Sequence, residues 1–166
     1  MGDTFTSWLG GIPAASKPAS QLLTCLYVED SKTDILLVEQ LIARRNDLIL
    51  LTANTGLLGL KMAQDQRPDI ILMDIDLPGA NGVEVLALLR ADRSTAQIPV
   101  TALSSNAYPH QIEAGLRSGF FHYLTKPFKI AEFMVAINAM LLHANKLATL
   151  QHSPGVWQHH RESAIR

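Results

Sequence analysis

The sequence predicts an α/β domain in which a parallel sheet of five strands is covered by helices on both faces. Three observations predict it. Short apolar runs alternate with helix-length segments, the connections between them are short, and one run, Ile70-Ile71-Leu72-Met73, is apolar without a break. Alternation with short crossovers implies parallel strands joined by right-handed connections. An unbroken apolar strand suits a central position buried on both faces. With 166 residues, 48% apolar and 17% charged, the chain has the length and composition of one ordinary domain with a filled core.

Taken in order, residues 10–21 are rich in small residues and proline without apolar periodicity, so residues 1–21 read as an N-terminal extension or linker. The first strand runs from Leu22 to Val28 and stops at Glu29-Asp30. Ser31 then caps a helix reaching about Arg44, with Asp34 complementing the unpaired N–H groups of its first turn. The rhythm repeats with a strand over Leu48 to Thr52 and a helix over Thr55 to Gln66. Next come a strand over Asp69 to Met73 and a helix over Val83 to Ala91, with Pro78, Gly79 and Gly82 as turn residues between them. A strand over Val100 to Leu103, a helix over Pro109 to Ser118 and a strand over Phe120 to Leu124 follow. In the last helix, Ile130 to Leu150, Ile130, Phe133, Met134, Ile137, Met140 or Leu141, and Ala144 recur at three- and four-residue spacing, as a core-facing stripe does. The domain is therefore expected over residues 22–150. Residues 151–166 read as a solvated tail, in which His152, His159 and His160 are expected to bind no metal.

Charge and cysteine usage exclude several classes. With 14 basic and 15 acidic residues the chain has no positive excess to neutralise a nucleic-acid backbone. The lone Cys25 excludes an internal disulfide, and its apolar run suggests a buried thiol in a reducing compartment, hence a cytoplasmic protein. Glu132, Asn138 and His143 interrupt the longest apolar candidate, so no membrane crossing is expected.

The chemistry lies at the strand ends. In an open parallel sheet, ligands sit outside the carboxyl ends of the strands. Here the first strand ends at Glu29-Asp30, the third at Asp74 and the fourth at Ser104, and the fifth runs into Lys126. Carboxylates gathered by such a fold repel one another by roughly 3 kcal/mol per pair at about 5 Å and an effective dielectric near 20. A hard divalent cation relieves that repulsion, and Mg²⁺ keeps waters that a phosphate can replace. An aspartate can attack phosphorus to give an aspartyl phosphate. Catalysis of that transfer is positioning and charge neutralisation, for which Asp74, Lys126 and the Ser104 hydroxyl supply the parts, with the Asp76 backbone carbonyl as a further metal ligand. Asp74-Ile75-Asp76 also resembles the Asp-x-Asp motif of aspartate-nucleophile phosphohydrolases, but it follows the third strand and no cap insertion accompanies it.

Four stretches resemble the receiver domains of bacterial two-component response regulators: Leu26-Tyr-Val-Glu-Asp-Ser31, Ile71-Leu-Met-Asp-Ile-Asp-Leu-Pro-Gly-Ala-Asn-Gly82, Pro99-Val-Thr-Ala-Leu-Ser-Ser-Asn-Ala107 and Tyr123-Leu-Thr-Lys-Pro-Phe128. The resemblance implies a flavodoxin-like (βα)5 fold with strand order 2-1-3-4-5 and a cis Lys126-Pro127 bond. It implies that Glu29 and Asp30 hold Mg²⁺, that Asp74 takes a phosphoryl group from a histidine kinase or phosphotransfer protein, and that Ser104 and Lys126 read it. Tyr123 is then the aromatic switch. The implied output is a downstream protein partner bound through the face of the fourth helix, fifth strand and fifth helix, including Ile112 and Leu116; a homodimer is a further possible partner. The same resemblance fits a stand-alone receiver or the C-terminal receiver of a hybrid sensor histidine kinase.

Overall fold

The structure is a computed structural model and describes residues 22–106 and 108–151. The proposed linker over 1–21 and all but the first residue of the 151–166 tail, with its three histidines, lie outside the described residues.

Alternating apolar strands and capped helices give the order β1 (Leu23–Val28), α1 (Lys32–Ile42), β2 (Leu48–Ala53), α2 (Gly56–Gln66), β3 (Ile70–Asp74), α3 (Gly82–Ala91), β4 (Val100–Ser104), α4 (Pro109–Arg117), β5 (His122–Thr125) and α5 (Ile130–Gln151). All pairings are parallel, and the strands lie in the order β2-β1-β3-β4-β5, as the resemblance implies.

Side chains alternate across the sheet, so each strand feeds two cores. Cys25, Tyr27, Ile70 and Leu72 pack with Val38 and Leu41 of α1 and Phe133, Ile137 and Met140 of α5. Leu26, Val28, Ile71 and Met73 pack on the other face with Ala63 of α2 and Val85, Leu86 and Leu89 of α3. The apolar run of β3 is thus central and buried on both sides. Thr101, a polar residue flanked by Val100 and Ala102 in β4, is buried and donates from Oγ1 to Met140 Sδ at 3.1 Å.

Three expectations shift. β5 begins at His122 rather than Phe120, because Gly119 takes φ +106° and the Phe120 N–H turns back to Gly115 O at 3.3 Å. In the last helix the stripe is carried by Phe133, Ala136, Ile137, Met140 and Leu141, while Ile130, at the helix start, is 55% exposed. Nor do Glu132, Asn138 and His143 make α5 too polar: by length and composition it passes as a membrane-crossing helix, yet its inner stripe is spent on the sheet.

Candidate functional site

β1 and β3 lie side by side in register from Cys25–Ile70 to Val28–Met73, so the residues that follow them emerge together. Glu29 comes directly after β1 and Asp74 ends β3. Glu29 is 1% exposed and Asp74 6%, whereas Asp30 faces solvent. Oxygens of Glu29, Asp30 and Asp74 lie within 4.8 Å of one another. Three hard oxygen donors so close fit a small divalent cation, which is the chemistry expected of Mg²⁺ with most of its shell left to water.

The loop after Asp74 is tied back over the strand end. Gly82 N donates to Ile75 O at 3.0 Å, and a Cβ on Gly82 would stand 2.5 Å from Asp74 O. Only glycine lets α3 start so close. A capping box between Asn81 and Glu84 secures the helix start. Asp76 N donates to Asp74 Oδ1 at 2.8 Å, which fixes the carboxylate plane from its own loop.

Lys126 reaches the cluster from the turn after β5, where the Lys126-Pro127 bond is cis. Its backbone N–H bonds Ser104 O at 2.8 Å, anchoring the turn to β4. Its ammonium donates to Glu29 Oε2 at 2.6 Å, Asp34 Oδ2 at 2.9 Å and Asp74 Oδ2 at 2.9 Å. Burial works against its charge, but the three carboxylate bonds outweigh that and hold its pKa well above the usual lysine value. For Glu29, burial pushes the pKa up and wins over the bonds from Lys126, the Ser31 N–H and Tyr27 that pull it down.

Ser104 is buried, and its Oγ accepts the Asn106 N–H at 3.1 Å, so the hydroxyl is held by its own loop. Tyr123 is half-buried and its ring lies against α4: a Cβ on Gly115 would come within 2.8 Å of Tyr123 Cδ2. Ile112 is also half-buried, and Leu116 is 45% exposed.

Two residues near this cluster escaped the sequence reading. Asp34 reads as a first-turn helix residue, and Ser31 Oγ does accept its N–H at 3.3 Å, but its carboxylate turns to Lys126. Tyr27 reads as one more apolar strand residue, yet its hydroxyl donates to Glu29 Oε2 at 2.8 Å. The signal available for Tyr27 was its position, two residues before Glu29 and on the same strand face. Asp34 carried no comparable signal, because its partner is 92 residues away.

Comparisons with known proteins point to one family. A family model described as the response regulator receiver domain matches residues 25–138. Protein PilH of Pseudomonas aeruginosa is 33% identical over 116 residues, which cover 70% of this chain and 95% of that protein. Histidine kinase P4 of Formosa agariphila is 33% identical over 124 residues, covering 75% of this chain but 9% of that protein. Among solved structures, the receiver domain of the sensor histidine kinase PA1611 from Pseudomonas aeruginosa, with a magnesium ion coordinated in its active-site cleft, is 29% identical with a TM-score of 0.66, covering 73% of this chain and 98% of that one.

Proposed function

Because this chain belongs to the response regulator receiver domain family, we propose that Asp74 is its phosphoacceptor and that Glu29, Asp30 and Asp74, with the Asp76 carbonyl, hold Mg²⁺. The domain is a phosphoacceptor signalling unit of a two-component phosphorelay. The observation that supports the residue assignment best is Lys126 Nζ bonded to both Asp74 and Glu29 at the sheet edge. An Asp74 oxygen attacks phosphorus, an O–P bond forms and the P–N bond to the donor histidine breaks. Bound Mg²⁺ supplies charge neutralisation for the phosphoryl oxygens. Lys126 turns from the carboxylates to one of those oxygens, and the Ser104 hydroxyl gives up the Asn106 N–H to meet another.

Ser104 then moves toward the site, and the Tyr123 ring follows into the space it leaves. The α4–β5–α5 face, with Ile112 and Leu116, changes shape for a downstream protein partner, and a homodimer through that face is compatible. The signalling domain spans residues 22–150, is cytoplasmic, and catalyses only its own phosphorylation and dephosphorylation. The chain spans 9% of histidine kinase P4 and 95% of PilH. The first match, with the likeness to the PA1611 receiver, supports a second reading in which these residues are the receiver of a hybrid sensor kinase; the sequence of the full-length gene product separates the two.

The test is phosphorylation by a small phosphodonor in Mg²⁺. One acid-stable, base-labile phosphoryl group per chain is expected in the wild type and none in Asp74→Asn. Labelling of Asp74→Asn at the wild-type level sinks the assignment.

A further inference from the structure

We propose that Tyr27 is a positioning residue that holds Glu29 in place for the divalent cation, an inference that rests on the phosphoacceptor reading above. Tyr27 belongs to β1, and its ring is fully buried under the α1 and α5 layer. Its hydroxyl is the one part of it that leaves the apolar core, donating to Glu29 Oε2 at 2.8 Å. Lys126 Nζ bonds the same oxygen at 2.6 Å, and the other oxygen, Oε1, accepts the Ser31 N–H at 3.0 Å.

Glu29 therefore has three donors, and they differ in what phosphoryl transfer asks of them. The Ser31 N–H is main chain and stays. Lys126 is needed at the phosphoryl group and must loosen its hold on Oε2. A carboxylate as buried as Glu29 cannot lose a donor without cost, and without a replacement it is left under-bonded and free to swing away. Tyr27 is the donor that remains on Oε2. It is neutral, so it orients the oxygen without adding a positive charge that would oppose a cation. Groups that hold a metal-binding side chain in orientation are typically worth about 10- to 100-fold in metal affinity.

Packing alone does not require the hydroxyl, since phenylalanine has the same ring. Tyr27→Phe is compared with wild type by titration calorimetry of the full chain with MgCl₂. Thr101→Val, which removes a buried hydroxyl bonded to Met140 and to no carboxylate, serves as control. The dissociation constant for Mg²⁺ is expected to rise about tenfold in Tyr27→Phe and to stay at the wild-type value in Thr101→Val. With a small phosphodonor, the Mg²⁺ concentration for half-maximal labelling should rise by the same factor, while the rate at saturating Mg²⁺ stays within about twofold. Equal Mg²⁺ affinity in wild type and Tyr27→Phe overturns the inference and leaves the phosphoacceptor reading intact. An equal loss in both variants, or a Tyr27→Phe chain that does not fold, also overturns it, because the hydroxyl then serves the core. A wild type that binds no Mg²⁺ overturns the phosphoacceptor reading and this inference with it.

Discussion

At each end of the sheet one half-buried cation gathers three acceptors, but the acceptors differ in kind. At the carboxyl end, Lys126 holds the side-chain carboxylates of Glu29 and Asp34, from the β1–α1 stretch, and of Asp74, from the end of β3. At the amino end, Arg90 of α3 donates from Nη1 to Ala96 O and Ile98 O at 3.0 and 2.8 Å and from Nη2 to Gly119 O at 3.0 Å. Main-chain carbonyls cannot leave without breaking the loops that carry them. The guanidinium fork is therefore a permanent staple between the loops that lead into β4 and β5. Carboxylates on side chains can trade a lysine for a metal ion, and the lysine can trade them for a phosphoryl oxygen. One end of the molecule is built to stay and the other to exchange partners.

The largest effect expected from breaking this contrast is at Lys126. Lys126→Met leaves buried carboxylates without their cation, and in metal-free buffer it should cost about 3 kcal/mol of stability. Urea unfolding with and without Mg²⁺ should show much of that loss restored by the metal, since a ligand bound only by the folded chain stabilises it. A loss that Mg²⁺ does not touch would make the two ends equivalent. Arg90→Met comes next: it orphans three carbonyls and should cost about 2 kcal/mol, by the same amount with and without Mg²⁺ and with phosphorylation intact. The smallest effect is expected for Asp34→Asn. Its side chain is 37% exposed, and the lysine keeps two carboxylates, so stability should stay within about 0.5 kcal/mol of wild type. A drop well beyond that would mean that the lysine has no acceptor to spare.

Much of the fold was legible because its causes are local. Ser31, Thr55 and Asn81 each accept a helix N–H as caps, and the β-period alternation of β1 divides Cys25 and Tyr27 from Leu26 and Val28 between the two cores. The start of β5 was less legible, since two aromatic residues with high strand propensity precede it. Gly119 sets a turn there, and Phe120 is spent plugging the core beside α4 rather than pairing in the sheet.

The candidate site divides along the same line. Glu29, Asp30, Asp74, Ser104 and Lys126 stand in the sequence as polar residues at the ends of apolar runs, and parallel strands must bring such ends to one edge. That much followed from the chain itself, because strand direction and crossover handedness leave little choice. Which oxygen meets which donor did not. Tyr27 and Asp34 belong to a strand and a helix by every local rule; Tyr27 has its partner Glu29 only two residues along, whereas only the return of the chain after β5 gives Asp34 its partner Lys126. Periodicity places a residue on a face, whereas a hydrogen bond depends on distances of a few tenths of an ångström between segments far apart in the chain, and those are decided only when the whole sheet has closed.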